Sequence, residues 1–289
     1  MLPTTPQSLL PLVLQSMAGA TDPRLTELLA GLVRHLHAFV LETRLSEEEF
    51  EQALGFVVAI GQATGEKKNE VVLLADLLGV SSLVALANNS DAHGESDAAL
   101  LGPFWRANAP RLPAGASIAA PGTPGTPLEA RGRVRDEQGR PVAGATVDVW
   151  QAAPNGLYEN QDGQQPDMNL RGRFETDAQG GFFFRSVRPA GYPVPTDGPC
   201  GELLRAQRRH PSRPAHLHFM VSKPGFKVLI TQVFADDSEH LESDPVFGVT
   251  QCLVGQFERS QRDGQPLALL AHEFTLLEGE MRLPHAPIP

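Results

Sequence analysis

The sequence predicts an α+β chain by content, a helical N-terminal region followed by a mainly antiparallel β-sandwich. Residues 22–88 carry leucine, valine and phenylalanine at helical spacing. From residue 128 the pattern changes to short alternating segments separated by glycine- and proline-rich turns. Between them, residues 90–128 are dominated by glycine, proline and alanine. The expected organisation is a flexible arm over 1–21, a helical and linker domain over 22–110, and a sandwich over 111–289.

The first 20 residues contain no charged side chain. Their apolar run is short, interrupted by Pro11 and without a basic flank, so they read as a loosely packed arm on a cytoplasmic protein. Asp22-Pro23 supplies a cap followed by proline at the first helical position. Leu25, Leu28, Leu29, Leu32, Leu36 and Phe39 continue that helix. Ser46 and Glu49 form a capping box that opens a second. A third is expected over about 68–88, with a break at Gly79. Leucine on more than one side of these helices implies packing on a second domain or subunit. Strands are expected at 130–134, 145–150, 182–187, 217–221, 228–234 and 267–276.

Composition narrows the function. The net charge is −10, which argues against nucleic acid as a partner. No apolar run is long enough to span a membrane. The two cysteines, Cys200 and Cys252, form no CxxC and suggest neither a disulfide framework nor a cysteine zinc site. Only two tyrosines occur, Tyr158 and Tyr192, both in glycine- and proline-fixed segments.

The sharpest motif is Arg213-Pro214-Ala215-His216-Leu217-His218. On a strand, residues two apart share a face, so both imidazoles can reach one metal. His35 and His37 are the control: on a helix, side chains two apart diverge by about 200°. His93, His210, His240, His272 and His285 read as solvated loop histidines. No Asp or Glu occurs over residues 203–235, so no local carboxylate completes a ferrous facial triad. A third histidine would suit zinc. The two tyrosines would suit a trivalent ion, which can hold a phenol as phenolate. Packed histidines and ordinary loop tyrosines are the plain alternatives.

These residues together resemble the intradiol ring-cleavage dioxygenases, in the catechol, chlorocatechol and hydroxyquinol 1,2-dioxygenase branch. The segments that carry the likeness are LLGPFWRANAP (100–110), VDVWQAAPNGLY (147–158), NLRGRFETD (169–177), YPVPTDGPCG (192–201) and RPAHLHF (213–219). The resemblance implies one Fe(III) per subunit, held by Tyr158, Tyr192, His216 and His218. It implies that Tyr192 also acts as a base, that Arg213 stabilises charge on the substrate ring, and that Gln232 is a polar partner nearby. It implies a catecholic substrate and O2. A homodimer through the N-terminal helices, with a phospholipid at its interface, is part of the same expectation.

The pocket wall implied by the family is Leu73, Asp76, Leu101, Gly102, Pro103 and Phe104. Asp76 resembles the position where the hydroxyquinol branch places an acid, and the segments 192–199 and 243–249 resemble that branch as well. The expected reaction is therefore cleavage of 1,2,4-trihydroxybenzene to 3-hydroxy-cis,cis-muconate, the enol of maleylacetate. Residues 104–108 (FWRAN) depart from the pattern of many relatives. A catechol or chlorocatechol enzyme, a non-catalytic β-sandwich binding module and a zinc hydrolase are the alternatives.

Overall fold

Asp22 caps its helix as the sequence predicts, accepting from the backbone N–H groups of Arg24 and Leu25. The computed structural model describes residues 2–65, 68–89 and 97–288; His93 and part of the linker lie outside the described residues. The chain divides into two compact units, Met1–Val58 and Ala59–Pro289. That division falls inside a helix rather than near residue 110, the boundary expected from composition.

The first unit holds α1 (Pro6–Ser16), α2 (Pro23–Thr43) and most of α3 (Glu47–Ala63). The segment expected as an arm is thus largely helical. Thr5 and Ser8 form a capping box there, and Pro11 sits within the helix. No residue of α1 or α2 is buried. Leu28, Leu32, Leu36, Phe39, Leu54 and Val58 are among the exposed apolar side chains.

The second unit begins with the end of α3. The third expected helix is two, α4 (Glu70–Leu77) and α5 (Val80–Asn89), bent by 74°. Gly79 between them has φ +71°, a conformation that glycine adopts without strain. Among the described residues no single helix is long and apolar enough to cross a membrane; only the bent pair α4 and α5 passes by length and composition.

The strands are β1 (Pro127–Asp136), β2 (Thr146–Trp150), β3 (Arg171–Glu175), β4 (Gly181–Val187), β5 (Tyr192–Pro193), β6 (Ser212–Arg213), β7 (His216–Ser222), β8 (Leu229–Ala235), β9 (Val254–Gly255), β10 (Phe257–Arg262) and β11 (Gln265–Leu276). A further helix, α6 (Pro199–Ala206), precedes β6. One sheet runs β10-β11-β1-β4, a second runs β3-β2-β7-β8-β9, and β5 pairs with β6. Pairing is antiparallel except β1 with β11 and β8 with β9. His272, expected in a loop, lies within β11.

The larger sheets share one apolar core. Val134, Phe184, Leu270 and Phe274 from the first meet Val149, Leu217, Phe219 and Val233 from the second. Period-two alternation then decides the site. Leu217, Phe219 and Val221 of β7 point into this core, so His216 and His218 point out of the sandwich, on the other face of the sheet.

Candidate metal centre

β7 is a strand because alternate apolar residues pair on both sides, with β2 and with β8. Its register puts His218 opposite Trp150 and opposite Gln232. His216 lies opposite Phe234. Tyr192 arrives on β5, paired with Arg213 of β6. Tyr158 follows a turn that needs Gly156, where φ is +82° and an added Cβ would lie 3.3 Å from Tyr192 Cβ. Three segments, the Tyr158 turn, β5 and β7, therefore bring four rings to one point.

The four rings form a closed circuit. Ring centres are 5.5 Å apart for Tyr158–Tyr192, 5.4 Å for Tyr192–His216, 4.7 Å for His216–His218 and 6.4 Å for His218–Tyr158. The two phenol oxygens are 3.2 Å apart and the two imidazole Nε2 atoms 3.1 Å apart. All four residues are buried.

His216 Nδ1 lies 2.7 Å from the Pro214 carbonyl, which can only accept. The proton is therefore on Nδ1, and Nε2 turns a lone pair inward. Burial, with the charge of Arg213 beside it, pushes the His216 pKa down to about 3. Burial, His216 and Arg213 hold His218 well below the usual imidazole range. Its Nδ1 has no protein partner among the described residues. Burial and the neighbouring Tyr192 raise the phenol of Tyr158. Neutral imidazoles facing buried phenols fit a cation that accepts both donor types, and two phenolates offset two of the charges of a trivalent ion.

Arg213 sits against this circuit and is 3% exposed. Its Nη1 donates to His216 Nε2 at 3.2 Å and its Nη2 to Gln232 Oε1 at 2.8 Å. Asp244 holds it in a two-point pair at 3.0 Å, from Nε and from Nη2. Burial alone would lower the Arg213 pKa, but the Asp244 carboxylate together with the Tyr192 and Tyr158 phenols outweighs it and keeps the cation. Asp244 in turn accepts from the Gly248 backbone at 3.0 Å. Gln232 donates to the Leu100 carbonyl at 2.7 Å, within β8 and opposite His218.

Asp244 and Trp150 were not singled out by the sequence. Asp244 comes from beyond the acid-free stretch and partly neutralises the charge of Arg213. Trp150 stacks on His218 with centres 4.7 Å apart and planes within 9°. The alternation of Val147 and Val149 could have placed Trp150 on the outer face.

The expected pocket residues divide. Asp76, Leu101 and Gly102 line a cavity of about 710 Å³, together with His285. A Cβ at Gly102 would lie 3.5 Å from His218 Cε1, so this wall touches the ring circuit. Phe104 is buried and stacks on Tyr158 at 4.6 Å; Leu73 is buried and Pro103 half-buried, and neither lines the cavity. His210 and His240 stack on each other at 4.1 Å, and His210 bonds Ser243. Among the described residues no group of three or more His, Cys, Asp or Glu could hold a metal, which removes the support for a zinc hydrolase.

Comparison with known proteins agrees with this architecture. Residues 100–278 match the family model described as Dioxygenase, and residues 22–96 match Catechol dioxygenase N terminus. A protein named hydroxyquinol 1,2-dioxygenase from Rhizobium sp. is 46% identical over 86% of this chain and 84% of its own. A catechol 1,2-dioxygenase from Candida albicans is 39% identical over 84% of this chain and 82% of its own. The crystal structure of a hydroxyquinol 1,2-dioxygenase from Pseudomonas putida DLL-E4 superposes with a TM-score of 0.86 at 39% identity, covering 95% of this chain and 99% of the other.

The sandwich, with two tyrosines and two histidines gathered beside a buried arginine, belongs with the ring-cleaving dioxygenases that the comparisons define. The chain belongs to the intradiol ring-cleavage dioxygenase family. That family uses non-haem iron.

Proposed function

We propose that this protein cleaves hydroxyquinol (1,2,4-trihydroxybenzene) with O2 to 3-hydroxy-cis,cis-muconate, the enol of maleylacetate, using one Fe(III) per subunit. Tyr158, Tyr192, His216 and His218 are the residues that would hold the iron. Held there, a ferric ion would supply Lewis acidity toward the two catecholate oxygens. Tyr192 accepts at its Oη a proton from one substrate hydroxyl. Arg213, fixed by Asp244 and Gln232, sets a permanent positive charge where negative charge develops on the ring. Gly102 leaves room beside His218 for the substrate.

One observation carries the choice of substrate. Asp76 is buried and lines the cavity, and beyond the Ser81 hydroxyl beside it the carboxylate keeps acceptor capacity that no close hydrogen bond fills among the described residues. A buried carboxylate with unmet acceptor capacity is costly unless a ligand completes it. The third hydroxyl of hydroxyquinol is such a donor; catechol lacks it.

The same reading includes a homodimer through the N-terminal helices, supported by their exposed leucines. A phospholipid at that interface would cover the same apolar strip. A cytoplasmic setting is supported by both cysteines standing outside any disulfide.

The test is oxygen uptake with hydroxyquinol, catechol and chlorocatechols, paired with product identification and metal analysis. Red, iron-containing protein that converts hydroxyquinol to maleylacetate is the expected result. Clear turnover of catechol with none of the trihydroxy compound rejects the substrate. Colourless protein without iron rejects the metal centre and favours a binding module.

A further inference from the structure

A buried cation lies behind Tyr158 that the chemistry above leaves unused. The Arg171 side chain is 1% exposed, and its guanidinium carbon is 5.8 Å from the centre of the Tyr158 ring. Its Nε donates to Glu159 Oε1 at 2.7 Å, and Arg106 donates to the same oxygen at 2.9 Å. Glu159 directly follows Tyr158. One carboxylate therefore ties two cations to the turn that presents the tyrosine. Both terminal nitrogens of Arg171 lack a partner among the described residues. Packing alone would be met by an uncharged side chain without that desolvation cost.

The backbone is strained to deliver this residue. Met168 and Leu170 have φ of +59° and +60°, a region that bulky side chains avoid. Asn169 between them is pinned, accepting from the Ala120 N–H at 2.8 Å. Sheet register does the rest. Arg171 lies opposite Trp150, Trp150 opposite His218, and His218 opposite Gln232. Partners across strands project to one face, so a single rung of four strands carries these side chains. Strain of this kind clusters where a structure over-determines a functional group.

We propose that Arg171 is a positioning residue for Tyr158, holding the ring by its charge and stabilising the electrons that the phenolate donates to iron. This rests on the reading of Tyr158 as an iron ligand. A cation against an aromatic face is attracted to it, and in a buried setting its field is screened less than in water, though the Glu159 carboxylate offsets part of it. Charge transfer from the phenolate to Fe(III) then needs more energy with Arg171 present than without it.

The experiment compares full-length, iron-loaded wild type with Arg171→Met, Arg171→Lys and Glu159→Gln by visible absorption, iron content and steady-state kinetics with hydroxyquinol. Arg171→Met should keep iron, move its charge-transfer band to lower energy, and lose about tenfold in kcat with little change in KM. Arg171→Lys should fall between it and wild type. Glu159→Gln releases the Arg171 charge from its carboxylate and should move the band to higher energy. A wild-type band and kcat in Arg171→Met overturns the proposal, as does lost kcat with no band shift in either Arg171→Met or Glu159→Gln. If both Arg171 variants fail to fold, a wild-type spectrum in Glu159→Gln overturns it. Colourless wild-type protein would fail the metal-centre reading instead, and is seen before any variant is made.

Discussion

Asp76 separates the two protonation states that matter for substrate choice. Burial pushes its pKa up to about 6, from an ordinary 3.8. Between those values the folded chain holds a proton that the unfolded chain has released. Stability therefore falls as pH rises through that window, and the penalty is complete above about pH 6. Asp76→Asn removes it. The variant should melt above wild type at about pH 8 and with it at about pH 3.5, where both side chains are neutral. In catalysis the sign reverses, because only the carboxylate is a strong acceptor. The ratio of kcat/KM for hydroxyquinol over catechol should rise through about pH 6. Asp76→Leu should lower that ratio roughly 10- to 100-fold, and a flat ratio in the variant would remove Asp76 from recognition. The ligand set has its own test. Tyr158→Phe and Tyr192→Phe should each change the visible spectrum and weaken iron retention; full iron and an unchanged band in both would end the assignment.

At the level of elements, the site depends on strand alternation and on one tight turn. His216 and His218 share a face because β7 has a period of two, and this was legible in RPAHLHF. β3 was not, because Arg171-Gly172-Arg173 lacks the apolar alternation that marks a strand. Its pairing with β2 supplies what the pattern omits. Gly79 was legible as a break, although not the 74° it produces. Gly156 gives the element-scale prediction. Gly156→Ala meets both a positive φ and the Cβ of Tyr192 at 3.3 Å. It should cost about 1–2 kcal/mol of stability and shift the visible band. Gly139→Ala meets the same kind of backbone, φ +75°, in open space. It should lower the melting temperature with no spectral change. Equal spectra in both variants would uncouple the turn from Tyr192.

For the whole molecule, the first unit is the part least explained by its own packing. Its helices present Leu28, Leu32, Leu36 and Phe39 to solvent, and neither α1 nor α2 has a buried residue. Apolar surface of that extent calls for a cover. Light scattering should give twice the 31.2 kDa of one chain. Leu32→Glu with Leu36→Glu should shift the mass toward one chain while iron per chain stays unchanged. A single-chain mass for wild type at every concentration would leave the helices without the partner assigned to them.

The sequence by itself determined the sandwich, the leading helices and the shared face of His216 and His218, because spacing along a chain encodes which face a side chain takes; Tyr158 and Tyr192 joined them only through the family resemblance. It also held the family likeness that the comparisons bear out. Tertiary structure alone decided which distant groups meet: Asp244 on Arg213, Trp150 on His218, Arg171 behind Tyr158. Those contacts join residues from different strands and loops, and no local period records the register that brings them together.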